Sequence, residues 1–583
     1  MDSNSQIHLN ILEGVQMPMI QSTSETVEMM EVGTQQILRE DSIVKPLLST
    51  PKKKHRSRLL PKISSLTPNC RRMYKEYRKS RRQLDFRKRT QRALKFSKDQ
   101  SFLNMTKNMN PLAQKLFWMQ IKQANKNIKG RRFSDEEKLI ALSILKQSPK
   151  CYRFLQKMFI LPSKTTLNKV VASLDVTSGI NLKIFEALKL EVETWPELRK
   201  FCSILFDEVA LEAGLTYDKN RDKIHGFVEL KDRTNEFADH ALVFLLRGAV
   251  HKWQQPIAYY FCKGATSAMQ MKEIIQQIVE AVGSTGLLPV ALCCDQGTAF
   301  QAVLKSFQEE TRRHQILSGD RTDEAIEISG HKLNIVFDPP HLIKGIRNNF
   351  LTKNIKFGDE ISKWSDIVDV YKMDCNTIGD TKLLPKLNDE HVMLGKIKKM
   401  KVKNCVRVLS HKVAQALNFA ANFSHDVHGN KVSQTLRNTA STILLFDNLF
   451  DSVNGASTSH KYHKGKNLRK AVTATSEHHT FWQDAIKKLN EMKFVDLRGR
   501  ESSVPSIKNW IVTIKSLQRL WQFFNEKNVK IMRPHYFNTD PIENFFGQVR
   551  AYNFRNNDPD CYTFANTFKT LNNWIYKVPQ SYI

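Results

Sequence analysis

Apolar residues along the chain fall into distinct regimes. Residues 1–50 mix acids, Ser, Thr, Gln and Met without a sustained period, the pattern of a disordered tail. Residues 110–175 repeat apolar positions at helical spacing: LAQKLFWMQI after Pro111, KLIALSILKQ after the capping pair Ser134 and Glu137, then SPKCYRFLQKMF. Pro162 and Ser163 lead into KTTLNKVVASL, so these short helices predict a helix-turn-helix or, equally, a small connecting bundle. Further on the apolar runs become short and continuous, as in buried strands. They cover 201–206, 224–230 and 241–250, the last continuing at 256–261. An amphipathic helix over 267–282 follows, then a strand ending at Asp295 with a helix starting at Gly297 and Thr298. One more strand ends at Asp338, before a proline-initiated helix. From 364 to about 528 the spacing is helical almost throughout, clearest in VRVLSHKVAQALNFAANF, TASTILLFDNLFDSVNG and IKNWIVTIKSLQRLWQFF. YFNTDPIENFFGQVRAYN closes the pattern, with Asp540 and Pro541 opening a helix that carries Glu543.

Three strands, helix, strand, helix, strand is the order of an α/β ribonuclease-H-like core. Asp207 ends its first strand and Asp295 its fourth. The third acid of such a core sits on the helix after the fifth strand, and no suitable one follows soon. A large all-helical insertion between that strand and the helix of Glu543 accounts for the delay. The expected organisation is therefore a tail at 1–50, a basic segment at 51–109 and a helical DNA-binding or dimerisation region at 110–175. The first part of the core follows at 176–350, the all-α insertion at 351–530, and the last catalytic helix with the end of the core at 531–583.

Charge adds a partner to this picture. The formal net charge is +32, an excess that favours a polyanion, because Lys and Arg that neutralise phosphates drive nucleic-acid binding. The run from PKKKHRSR at residue 51 to Lys98 is the densest part, read as a nuclear-localisation signal and an electrostatic foot for duplex DNA. The nine cysteines are scattered without a CxxC pair, and Cys293 and Cys294 read as buried thiols. With no signal peptide or membrane-length apolar run in the sequence, the expectation is a reducing, intracellular, soluble setting without membrane partners.

Two carboxylates at strand ends and one on a helix can converge on a pair of divalent ions that serve phosphoryl transfer. Mg²⁺, or Mn²⁺, suits so sparse a carboxylate site because it keeps several waters and takes phosphate oxygens. Asp207, Asp295 and Glu543 are the candidate metal-binding catalytic acids. Glu208, Asp338 and His341 are possible auxiliary groups.

The motifs FDEV, CCDQGTAF, FDPPHLIKGIRNNF, LFDNLFDSVNG and DPIENFFGQVR occur in an order that resembles the P-element-type transposases, including their THAP-domain-containing cellular relatives. The resemblance implies a DDE-type DNA transposase that cleaves and joins DNA strands, acting as a homo-oligomer on transposon ends and target. By the same resemblance Asp207, Asp295 and Glu543 match the metal-binding acids. Asp451 and Asn454 match insertion-domain positions associated with GTP, which is implied as an architectural cofactor, with Asp540 a further candidate to face that nucleotide. No GxxxxGK[ST] loop is present, so such a pocket is not of the P-loop kind. The family's zinc-binding THAP module needs a C2CH ligand set, and before Asn110 only Cys70 is available. The alternative is a captured host protein that binds DNA and has lost transposition.

Overall fold

The computed structural model describes residues 67–97, 109–172, 176–219, 221–319, 324–375, 382–423, 425, 435–456, 466–552 and 557–572. Residues Met1–Met105 and Thr106–Ile583 form two compact units. In the first, the described residues make one 30-residue helix, Pro68–Ser97. Its sequence carries twelve Lys and Arg against two acids, so no apolar stripe is available for a core. The expected tail at 1–50 and the start of the basic run lie outside the described residues.

The second unit opens with helices Pro111–Ala124, Asp135–Gln147, Pro149–Met158 and Lys164–Ala172. Ser134 and Glu137 close the expected capping box. Ala141, Leu142, Leu145, Tyr152, Leu167 and Val171 bury a small core of their own. The Tyr152 hydroxyl donates to the Pro162 carbonyl at 2.6 Å and fixes the joint between the last two helices. Lys164, Thr165, Asn168 and Lys169 stay exposed on the final helix.

The core sheet follows. Its central strands are β1 (Phe201–Ala210), β2 (His240–Gly248), β3 (Gln254–Cys262), β4 (Leu288–Cys294) and β5 (His331–Phe337). They lie in the order β5-β4-β1-β2-β3, with β1, β4 and β5 parallel and β2 and β3 antiparallel. Each is a nearly unbroken buried run, as expected for strands covered on both faces. Helices α1 (Ala268–Ser284) and α2 (Thr298–Ser318) connect β3 to β4 and β4 to β5. Met271, Ile274, Ile275, Ile278, Val279 and Val282 form the buried stripe of α1. Cys293 and Cys294 are fully buried, as expected.

One strand assignment needs correction. The run at 224–230 is not one continuous strand: Gly226 at φ +120° divides it into Lys223–His225, which pairs with Thr216–Asp218 apart from the core sheet, and Phe227–Glu229, which joins the core sheet beside β3. A Cβ at 226 would stand 2.0 Å from the Gly214 carbonyl oxygen, so only glycine fits. The second and third long strands of the core are β2 and β3, joined by a short turn and buried along almost their whole length.

After β5 come α3 (Pro339–Phe350) and the insertion, which includes α4 (Leu436–Val453). The insertion is not wholly helical. Asn354–Phe357, Glu360–Ser362, Lys493–Val495 and Glu501–Ser502 make a four-stranded antiparallel sheet. Ile355 faces Phe494 across it, so this sheet pairs chain near the insertion's start with chain near its return. Such two- to four-residue strands of mixed charge carry too little alternation to be read in advance. Helix α5 (Pro505–Glu526), assigned above to the insertion, packs on the core: the Phe337 N–H donates to Thr513 Oγ1 at 3.1 Å, and Phe201 meets Phe523 and Phe524 edge to face. Helices α6 (Asp540–Tyr552) and α7 (Cys561–Leu571) complete the same layer, with Phe564 and Phe568 against Tyr259. No helix among the described residues is long and apolar enough to cross a membrane.

Candidate active site

Register places the acids. Leu205 of β1 lies opposite Cys293 of β4, and Cys293 lies opposite Val336 of β5. Two residues on, the three parallel chains reach Asp207, Asp295 and Asp338 at one level on adjacent strands. Asp295 and Asp338 directly follow the last residues of β4 and β5, while β1 continues to Ala210 with Asp207 opposite Val243. Side chains alternate along a strand, so Asp207 shares a face with Tyr259 and the α5–α7 layer. Glu208 points the other way. Its Oε1 accepts from the Thr266 N–H at 3.1 Å and Thr266 Oγ1 at 3.0 Å, just before α1. It is a structural acceptor and does not join the acidic cluster.

Each remaining acid is held locally. Asp295 Oδ1 accepts from the Gly297 N–H at 2.7 Å and starts α2. Asp338 is fully buried and reaches in three directions. Its own N–H donates to the Cys294 carbonyl at 2.8 Å, Oδ2 accepts from the N–H and Nδ1 of His341, and Oδ1 accepts from the Thr539 N–H at 3.0 Å. Thr539 immediately precedes α6, and its carbonyl accepts from the Glu543 N–H at 3.1 Å. Asp338 thus fastens the residue after β5 to the turn that presents Glu543, closing the chain across the whole insertion. Buried Arg247 of β2 adds a second tie, Nη1 donating to Asn538 Oδ1 at 2.8 Å. Ligand atoms of Asp338, His341 and Glu543 lie within 4.8 Å of one another.

The crowding shows in the acidities. Burial, reinforced by the Asp295 and Glu543 charges, pushes the Asp207 carboxyl up to about 7. Burial and then Asp338 raise Glu543 above the usual carboxylate range. Burial opposes charging of His341, but the hydrogen bond to Asp338 and its charge lift the imidazole above its ordinary value. A half-buried group of carboxylates that disfavour one another's charge, beside one imidazole, is a donor set that fits a divalent cation.

The nucleotide candidates lie where the insertion returns to the core. Asp451 is near the end of α4, and Asn454 caps that helix, its side-chain amide donating to the Phe450 carbonyl at 3.2 Å. The Gly455 carbonyl accepts from the His535 N–H at 3.2 Å, and His535 Nδ1 stands 3.7 Å from Asp540 Oδ2. A single residue therefore joins the end of α4 to the start of α6. Asp451 is not alone: Lys466 Nζ lies 2.8 Å from its Oδ2 and 2.6 Å from Oδ2 of Asp447, one turn earlier on α4. Asp447 was visible in LFDNLFDSV at helical spacing from Asp451. Lys466 was not, because a cation fifteen positions away has no local signature.

In-register parallel strands ending in aspartates, with a glutamate on a helix laid over the same face, are the arrangement of a ribonuclease-H-like core. Comparison with known proteins agrees. Residues 176–308 match the family described as TNP-like, RNase H N-terminal domain, and residues 340–466 match the TNP-like, GTP-binding insertion domain. The Drosophila melanogaster transposable element P transposase is 22% identical over 423 residues, covering 72% of this chain and 51% of that protein. The human DNA transposase THAP9 is 22% identical over 459 residues, covering 75% of this chain and 48% of its own length. The solved Drosophila P element transposase strand transfer complex superposes with a TM-score of 0.65 at 19% identity, over 81% of this chain and 98% of that one. At that identity the likeness is one of fold. The chain is similar to the P-element-type transposases across these two matched domains, and it spans about half the length of the curated relatives it matches.

Proposed function

We propose that this protein is a DDE-type DNA transposase of the P-element type, cleaving DNA strands and transferring them to a target with Mg²⁺ or Mn²⁺. What supports this reading is that Asp207 and Asp295 stand level on adjacent parallel strands and that Glu543, on the returning helix, lies near enough to raise the Asp207 pKa together with Asp295. Among the described residues, Glu543 groups at ligand distance with Asp338 and His341 instead. When bound, a pair of divalent ions there supplies an activated hydroxyl nucleophile and stabilises the leaving oxygen. The chain's own part is to hold the acids level, with Asp338 fixing Glu543 through Thr539 and Arg247 fixing the turn before it. Duplex DNA is the partner that suits the basic helix Pro68–Ser97 and the exposed Lys164, Thr165, Asn168 and Lys169. Action as a homo-oligomer in the nucleus completes the reading. A strand-cleavage and strand-transfer assay with duplex ends tests it, since a DNA-binding scaffold without chemistry would bind and leave the strands intact.

The metal site carries its own pH signature. A cation must displace the proton that Asp207 holds below about pH 7. Apparent Mg²⁺ affinity should therefore fall by about tenfold for each pH unit below 7 and level off above it. Titrations at pH 6, 7 and 8 read this directly, and Asp207→Asn should flatten the dependence along with weakening binding.

GTP is the proposed architectural cofactor, held by Asp451, Asn454 and Asp540. Guanine offers two neighbouring N–H donors, which one carboxylate accepts together, whereas adenine presents no such pair. Guanine at Asp451 competes with Lys466 for the same oxygen. Calorimetry should show GTP and a non-hydrolysable analogue binding alike, ATP at least about a hundredfold more weakly, and Asp451→Ala losing most of the GTP affinity. Equal binding of ATP would leave the insertion without a guanine site.

A further inference from the structure

His341 differs from the acids around it in the atom it leaves available. It opens α3 behind Pro339 and Pro340, a start that fixes its backbone direction. Its Nδ1 lies 2.8 Å from Asp338 Oδ2, and that carboxylate is fully buried. Asp338 already accepts three hydrogen bonds: Oδ1 serves the Thr539 N–H, and Oδ2 serves both the N–H and the ring of His341. A carboxylate accepting from Nδ1 sets the imidazole tautomer, so the lone pair rests on Nε2. No hydrogen bond to Nε2 occurs among the described residues. The side chain is about one-quarter exposed, and a ligand atom of the ring lies within 4.8 Å of one of Glu543. Histidines that bind metals show this arrangement, one ring nitrogen donating to a buried carboxylate and the other facing the ion.

We infer that His341 is a ligand of the divalent cation through Nε2, with Asp338 as the carboxylate that orients it. This rests on the reading of Asp207, Asp295 and Glu543 as a metal site, and it changes that site's chemistry. One imidazole among carboxylates shifts preference from Mg²⁺ towards ions that accept nitrogen more readily, Co²⁺ and Zn²⁺ ahead of Mn²⁺. Asp338 is then a positioning residue, acting on the ion through His341 and on Glu543 through Thr539.

Electron spin-echo spectroscopy of the full chain loaded with Mn²⁺ tests the assignment without reference to activity. The expected result is a directly bonded ¹⁴N coupling that changes to the ¹⁵N pattern after ¹⁵N-histidine labelling. His341→Gln should abolish it and weaken Mn²⁺ binding by about tenfold to a hundredfold. The labelled wild-type chain answers the question even if that variant folds poorly. Mn²⁺ binding that depends on Asp295 but shows no nitrogen coupling would overturn the ligand and leave the acidic site standing. A coupling that persists in His341→Gln would also overturn it. No Asp295-dependent Mn²⁺ binding at all would overturn both.

Discussion

Asp295→Asn is expected to reduce metal-dependent strand cleavage and joining by at least about a thousandfold while leaving the protein folded. The two effects separate because this carboxylate has two jobs. Its Oδ1 accepts the Gly297 N–H that begins α2, and the asparagine oxygen can keep that bond. What the amide removes is charge, in a cluster where Asp295 is the leading charged contributor to the raised Asp207 pKa. Losing that repulsion should let Asp207 ionise at lower pH, so the metal-free variant should be at least as stable as the wild type near neutrality. The reason is one of sign. A carboxyl whose folded pKa is raised stabilises the fold when protonated, and that contribution fades as pH rises through about 7. Thermal midpoints at pH 6 and 8 beside a cleavage assay in Mg²⁺ and Mn²⁺ would check both halves. Normal joining by Asp295→Asn would remove the acid from the proposed site.

The largest effect on stability is expected at Asp338. Replacing it by alanine leaves the Thr539 N–H and the Nδ1 of His341 without their acceptor at a fully buried position. A loss on the order of 3–5 kcal/mol is expected, because buried donors left unpaired cost far more than a surface contact. The damage should be directional. Thr539 also receives the Glu543 N–H, so the start of α6 loosens first, and hydrogen exchange at Thr539 and Glu543 should rise before that of β1 or β4. Asp338→Asn, which keeps an oxygen for one of these donors, should recover part of the loss. A denaturation midpoint within experimental error of the wild type for Asp338→Ala would show that this carboxylate does not close the core.

Much of the candidate site's composition was legible because its parts are local. An apolar run that stops at an acid, as at Asp207, Asp295 and Asp338, is a short-range pattern, and strand order follows from such runs. The helix of Glu543 was marked by Asp540 and Pro541. The capping box at Ser134 and Glu137 and the stripe of α1 likewise need only neighbours a turn away. The helical bulk of the insertion was equally plain from its spacing, although its small sheet was not.

Tertiary structure alone decided which acids stand level and on which face. Asp207 and Glu208 are adjacent in sequence, and only the direction of the sheet's faces separates a cluster acid from an acceptor for Thr266. Asp338 read as one strand-end acid among several until pairing put it level with the other two and brought Thr539 to it from across the insertion. Lys466 reached Asp447 and Asp451 in the same way. Strand register, the side a face turns to, and the return of a distant segment are set by pairing and packing between residues far apart in the chain. Local spacing holds no record of those contacts, because each is chosen by the burial of the whole core.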